Sequence, residues 1–329
     1  MRVFVAGASG VIGRRLIPLL VQHGHTVTGM TRSENKAAGI RSAGADAVVA
    51  DALDPSAVAI AVTRAKPEVM VHELTAIPAD FDLRKFAEQF KQTNRLRTEG
   101  TDHLLAAARL AGARRFVAQS YAGWPYAREG GPVKTEDDTL DPNPPAAFRE
   151  TLRAIQHLES AVLQTGGIEG VVLRYGAFYG PGNAIGEGGG MLHEIQYRRV
   201  PIVGGGSGVW SFIHIDDAAR ATLAAVERGR PGIYNIVDDD PAPVSEWLPI
   251  LARTLGAKPP LRLPAWVARL VIGEHGIAMM TQSRGASNQK AKNELGWAPM
   301  WTSWREGFRD GLAESVTTRR TVERQEIAI

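Results

Sequence analysis

The element of this sequence that most restricts its fold is a set of three evenly spaced glycines, Gly7, Gly10 and Gly13. They lie between a short apolar run, 3–6, and a stretch of helical period carrying Ile17, Leu19, Leu20 and Val21. In such a turn the first glycine lets the chain leave the strand sharply, the second lets a ligand approach the backbone, and the third lets helix pack on strand. The helix N-terminus adds unpaired N–H groups and a partial positive charge. With a strand before it and a helix after it, the turn is expected to cradle a pyrophosphate through Gly7, Ser9, Gly10, Val11, Ile12 and Gly13, rather than to be a surface turn.

The rest of the first half supports that expectation. Apolar runs at 26–30, 47–50, 69–72 and 116–119 alternate with helix-period stretches, the pattern of a parallel, doubly wound α/β sheet. A sixth run at 170–173, after a helical segment at 145–163, would complete a six-stranded sheet. At 329 residues the chain has room for an attached smaller lobe. The expected division is a Rossmann-type dinucleotide-binding domain over 1–175 with a return segment at 209–230, a substrate lobe over 176–208 and 231–316, and a polar tail over 317–329. Segments 211–215 and 233–237 read as returns to the sheet. The glycine-rich stretch 186–190 lacks the preceding strand of a phosphate loop and reads as a mobile flap.

The end of the second strand bears on the choice of cofactor. About 20 residues after the glycine turn, NAD-specific folds place a carboxylate on the adenosine ribose. Here Thr31 and Arg32 stand there, with Lys36 one turn on. A guanidinium without a neighbouring carboxylate suits the 2′-phosphate of NADP, so NADP is expected, with NAD possible. Asp51 and Ala52 follow the third strand, flanking the adenine or, in the case of Asp51, capping the helix that begins near Pro55.

Later motifs carry a family resemblance. The segments His72-Glu73-Leu74-Thr75-Ala76, Arg174-Tyr175-Gly176, Tyr179-Gly180-Pro181-Gly182, Phe212-Ile213-His214-Ile215-Asp216-Asp217 and Leu295-Gly296-Trp297 occur in order. Together with the glycine spacing they resemble the extended short-chain dehydrogenases/reductases, the NAD-dependent epimerase/dehydratase family, over roughly residues 1 to 310. The resemblance implies a cofactor contact at Leu74. It also implies a Tyr-x-x-x-Lys pair on the helix after the fifth strand, the tyrosine exchanging a proton with substrate and the lysine lowering its pKa. No tyrosine here has a lysine four positions later; Thr151 and Ile155 take those places. The chain therefore resembles the atypical branch. By spacing, Tyr121 takes the place of the strand-end serine or threonine, so Tyr121 is the candidate proton donor, with Ser120 and Thr151 in support and His157 a further acid/base candidate. Arg97 stands where the family has an asparagine and either reaches the cleft or sits on an exposed helix face.

Where nucleotide-sugar enzymes of the family have a diphosphate-gripping arginine, this chain has Trp210-Ser211. Trp124, Phe178, Tyr179 and Trp210 are therefore expected to line a site for a smaller, less anionic substrate. The leading reading is an NADPH-dependent oxidoreductase reducing a small carbonyl metabolite. A redox-neutral epimerase, dehydratase or isomerase with retained cofactor and a non-catalytic NADP sensor are the other two. Interspersed charges, 38 Lys plus Arg against 35 Asp plus Glu, give no nucleic-acid or membrane footprint. The absence of cysteine removes disulfides and thiolate metal sites, no metal is expected, and the chain reads as cytoplasmic. A homodimer is compatible with the sequence.

Overall fold

A computed structural model describes residues 1–78 and 82–314. Seven parallel strands form the central sheet: β1 (Arg2–Ala6), β2 (Thr26–Thr31), β3 (Asp46–Val49), β4 (Val69–His72), β5 (Arg115–Tyr121), β6 (Glu169–Tyr175) and β7 (Gly232–Ile236). Their spatial order is β7-β6-β5-β4-β1-β2-β3, with a reversal at β1, where parallel α/β sheets bind ligands beyond the strands' carboxyl ends. Strand period explains the two cores. Val3, Val5 and Val117 face one side of the sheet, and Phe4, Ala6, Phe116 and Ala118 the other. Strands covered on both faces read as unbroken apolar runs, which is why they were legible in the sequence.

Helices α1 (Val11–Gln22), α2 (Glu34–Ser42), α3 (Pro55–Ala65), α4 (Phe86–Arg95), α5 (Thr101–Ala111) and α6 (Arg149–Leu163) connect the strands. Helices α4 and α5 are one continuous rod interrupted by a π-turn at Leu96–Gly100. Past β6 come α7 (Gly190–Gln196), α8 (Ile215–Glu227), α9 (Val244–Thr254), α10 (Ala265–Thr281) and α11 (Trp304–Asp310). Except for α8, which packs beside α1, these helices surround a third core containing Phe212, Trp247, Trp304 and Phe308.

The return to the sheet expected at 233–237 is present: Gly232–Ile236 pairs in parallel with β6 as a seventh strand beside the six apolar runs. Elsewhere the structure differs from expectation. Segment 211–215 does not return to that sheet; Phe212–His214 pairs with Ala177–Tyr179 in a separate two-stranded sheet. In the 186–190 stretch Gly186 and Gly189 pack against neighbouring backbone while Glu187, Gly188 and Gly190 are exposed. A Cβ on Gly186 would strike the Gly180 carbonyl and one on Gly189 the Asn183 carbonyl, so these glycines permit backbone contact. The tail expected at 317–329 lies outside the described residues.

Candidate active site

The glycine turn is built as its spacing requires. Gly7 has φ +94°, and a Cβ there would lie 2.6 Å from the Glu73 carbonyl oxygen, so the turn rests on the chain leaving β4. A Cβ on Gly13 would strike the backbone of Gly7 and Ala8. Gly10 is different: it is exposed, and its Cβ would meet only the Gly7 carbonyl, at 3.1 Å. Gly10 is also the N-cap of α1, with no side-chain cap and no acidic residue in the first turn. The solvent-exposed Gly10 backbone and the uncapped N–H groups make a cradle that fits an anionic pyrophosphate. Val11 is half-buried and Ile12 is buried beside it.

At the end of β2 the Thr31 hydroxyl lies 3.0 Å from the Ser9 hydroxyl, tying the two loops together. Arg32 is exposed and pairs with no described residue, and Lys36 is exposed too. Asp51 does not cap α3. That role belongs to Asp54, which accepts the Ser56 and Ala57 N–H groups, while Asp51 accepts from Leu53 at 3.0 Å. Nδ1 of His103 donates to the Ala52 carbonyl at 2.9 Å, fixing Ala52 at this rim.

A chain of hydrogen bonds braces the loop after β4. His72 is buried and its pKa is pushed down to about 4 by burial, so the ring is neutral. Its Nδ1 accepts the Leu74 N–H at 3.2 Å, which fixes the tautomer; Nε2 donates toward the Leu96 carbonyl at 3.3 Å and lies 3.1 Å from the Thr101 hydroxyl. Leu96 opens the π-turn, so His72 tethers the irregular turn that carries Arg97 to the sheet edge. Such turns recur at functional sites. The motif containing Leu74 was read from the sequence, but His72 and Glu73 were not singled out as functional.

Tyr121 ends β5, half-buried, and its hydroxyl makes no hydrogen bond to a described residue. Burial pushes its pKa up to about 12, against the opposing pull of Arg97. The tyrosine is a protonated donor at neutral pH. Its ring lies 6.4 Å from that of Trp124, and Trp124 packs 4.2 Å from Phe148. Tyr121, Trp124, Trp210 and Met279 border one narrow cavity. Trp210 donates its indole N–H to the Met279 carbonyl at 3.0 Å and packs on Trp247, so that N–H is already used.

Several sequence candidates lie elsewhere. Strand alternation turns Ser120 to the opposite face from Tyr121, where its hydroxyl donates to Glu159 at 2.7 Å. Glu159 also takes Arg174 in a bidentate pair at 2.7 and 2.6 Å, and Arg174 reaches the Tyr126 hydroxyl at 3.1 Å. Ser120 is thus committed to a buried structural network. Thr151 is fully buried and accepts from Asn94 at 3.2 Å, while Ile155 is core. His157 forms a surface pair with Asp102 at 2.9 Å. Tyr179 is not a cleft residue: it is buried against His214 and Phe308, and Phe178 packs on Tyr175 against the sheet core. Arg97 is not on an exposed helix face but 6% exposed. No cluster of metal-binding side chains and no helix long and apolar enough to cross a membrane occur among the described residues.

A reversal-point glycine cradle with a tyrosine-bearing cleft beside it defines a Rossmann-fold dinucleotide-dependent enzyme of the short-chain dehydrogenase/reductase type. Residues 3–237 match the model of the NAD dependent epimerase/dehydratase family. The chain belongs to that family. A 3-diazoavenalumate denitrifying reductase from a Streptomyces species is 47% identical over 310 residues, 94% of this chain and 99% of the relative. A 4-hydroxy-2-methyl-3-oxo-4-farnesyl-3,4-dihydroquinoline-1-oxide ketoreductase from Stigmatella aurantiaca is 28% identical, covering 91% and 92% of the two chains. The solved UDP-glucose 4-epimerase of Thermotoga maritima with UDP-glucose superposes with a TM-score of 0.73 at 22% identity, covering 98% of this chain and all of that one, and shows the shared fold.

Proposed function

We propose that this protein is an NADPH-dependent reductase of a small, largely aromatic substrate. The carrying observation is Tyr121, an unbonded and protonated hydroxyl at the carboxyl end of β5, beside an aromatic-walled cleft. Gly7, Gly10, Val11 and Ile12 would hold the pyrophosphate, Ser9 and Thr31 the adenosine ribose, Arg32 the 2′-phosphate, Asp51 and Ala52 the adenine, and Leu74 the inner cofactor. The cofactor supplies hydride when bound. Reduction of a carbonyl then requires one proton on oxygen, which Tyr121 donates; the absence of a lysine at 155 leaves that tyrosine a donor rather than a base. Both relatives described above are named as reductases, one of them a ketoreductase, which supports this direction.

A second acceptor is favoured by the buried Thr151 and Ile155 and by the name of the 47% identical relative. Hydride added to an arene diazonium gives the arene and dinitrogen, with charge and atoms balanced and no oxygen to protonate. Such a reaction has no need of a tyrosine–lysine pair. Following NADPH consumption with aromatic ketones and with an aryl diazonium salt, with product mass and nitrogen release measured, separates the acceptors. Tight NADPH binding without consumption by any acceptor would sink the reductase reading in favour of a sensor.

A further inference from the structure

Arg97 carries a buried charge that the protein leaves uncompensated. It makes no hydrogen bond or ion pair among the described residues, and its Nη1 is enclosed without a partner. The carboxylate in its electrostatic reach, Glu159, is already gripped on both oxygens by Arg174. Two guanidiniums against one carboxylate leave a positive charge in excess inside the fold. An isolated buried cation is costly, whereas a carboxylate in a two-point pair with its planar fork repays that cost. The position is built, since the π-turn bearing Arg97 is tethered by His72, and Tyr121 also lies within electrostatic reach. The Tyr121 ring in turn lies 6.4 Å from that of Trp124, and both border the cavity at the end of β5.

We propose that Arg97 binds the carboxylate of a planar aromatic acid whose ring lies against Tyr121 and Trp124, which makes the substrate of the reduction an aromatic carboxylate. This rests on the reductase reading for its setting, but its test reads binding alone. Calorimetric titration of the NADPH-loaded protein with cinnamate and with neutral cinnamamide compares two ligands of the same shape. Wild type is expected to bind cinnamate about tenfold or more tightly than the amide, the worth of a charge-assisted pair. Arg97→Met should weaken cinnamate alone and bring the two together, and Arg97→Lys should restore part of the difference. Equal affinities in wild type, or equal loss for both ligands in Arg97→Met, would overturn the assignment even if one variant folds poorly, because the wild-type comparison stands by itself. Weakened NADPH binding with an unchanged ratio of cinnamate to cinnamamide would assign the guanidinium to the cofactor and overturn it equally. Arg97-dependent cinnamate binding in a protein that never consumes NADPH would uphold the anion site while removing the reductase reading.

Discussion

The Tyr175 hydroxyl lies 3.1 Å from the Glu73 carboxyl, beneath the glycine turn. The same hydroxyl is 2.6 Å from Thr222 Oγ1, and Thr222 donates to the Ala218 carbonyl. Tyr175 donates to Oε1 of Glu73, whose Oε2 is buried without a partner among the described residues. Burial pushes the Glu73 pKa up to about 8 against the opposing pull of that hydrogen bond, so the carboxyl is neutral at neutral pH.

That relationship gives stability a pH dependence of definite sign. In the unfolded chain Glu73 loses its proton near 4.5, while in the fold it keeps it to about 8, so stability present at low pH is lost across that interval. His72 acts oppositely: its folded pKa of about 4 lies below 6.5, and its contribution grows as pH rises between those values. Between pH 6.5 and 8 Glu73 acts without this opposition. Denaturant titrations should show stability falling there in wild type and staying flatter in Glu73→Gln; identical slopes would refute the neutral carboxyl.

Arg32→Ala should weaken NADPH by about tenfold or more, the worth of a hydrogen bond to a charged group, and leave NADH unchanged. Fluorescence titration of both cofactors measures this. A wild-type preference for NADH would overturn the assignment of Arg32 to the 2′-phosphate.

Gly10→Val and Gly13→Ala should fail differently. A Cβ at Gly10 meets one atom, the Gly7 carbonyl oxygen at 3.1 Å, and the side chain should block both cofactors alike with a smaller loss of thermal stability than at Gly13. One at Gly13 strikes backbone and should lower the melting temperature. Unchanged cofactor affinity in folded Gly10→Val would show that the pyrophosphate lies elsewhere.

Tyr121→Phe should retain cofactor affinity and lower turnover of a carbonyl substrate about a hundredfold, the usual worth of a positioned acid. With the tyrosine pKa pushed up to about 12, reduction should be the faster direction near neutrality. Equal rates for wild type and variant on a carbonyl would eliminate Tyr121 as its proton donor; on a diazonium, equal rates are expected.

Glu159→Gln leaves Arg174 buried without its counter-charge and should cost about 3 kcal/mol of unfolding free energy. Chemical denaturation measures it. A change within about 0.5 kcal/mol, the range of ordinary surface substitutions, would mean that the Ser120–Glu159–Arg174 network does not brace β5 against α6.

The sequence by itself determined the parallel sheet and the glycine turn, because both are local. Strands covered on two faces read as continuous apolar runs, and Gly7, Gly10 and Gly13 are neighbours along the chain, so their spacing states their geometry. It also determined that the helix tyrosine–lysine pair is absent, since positions 151 and 155 can be read directly. Only the tertiary structure decided which side chains meet. Residues 120 and 121 are adjacent in sequence but face opposite sides of β5, which gives Ser120 to Glu159 and leaves Tyr121 in the cleft. Residues 178 and 179 looked like cleft aromatics, yet Tyr179 closes a core built by Phe308, far along the chain. For Arg97 the sequence left two places, the cleft and an exposed helix face; a π-turn, held by a histidine on another element, buried it without a partner. Contacts of this kind depend on which elements pack together, and no spacing along one segment encodes them.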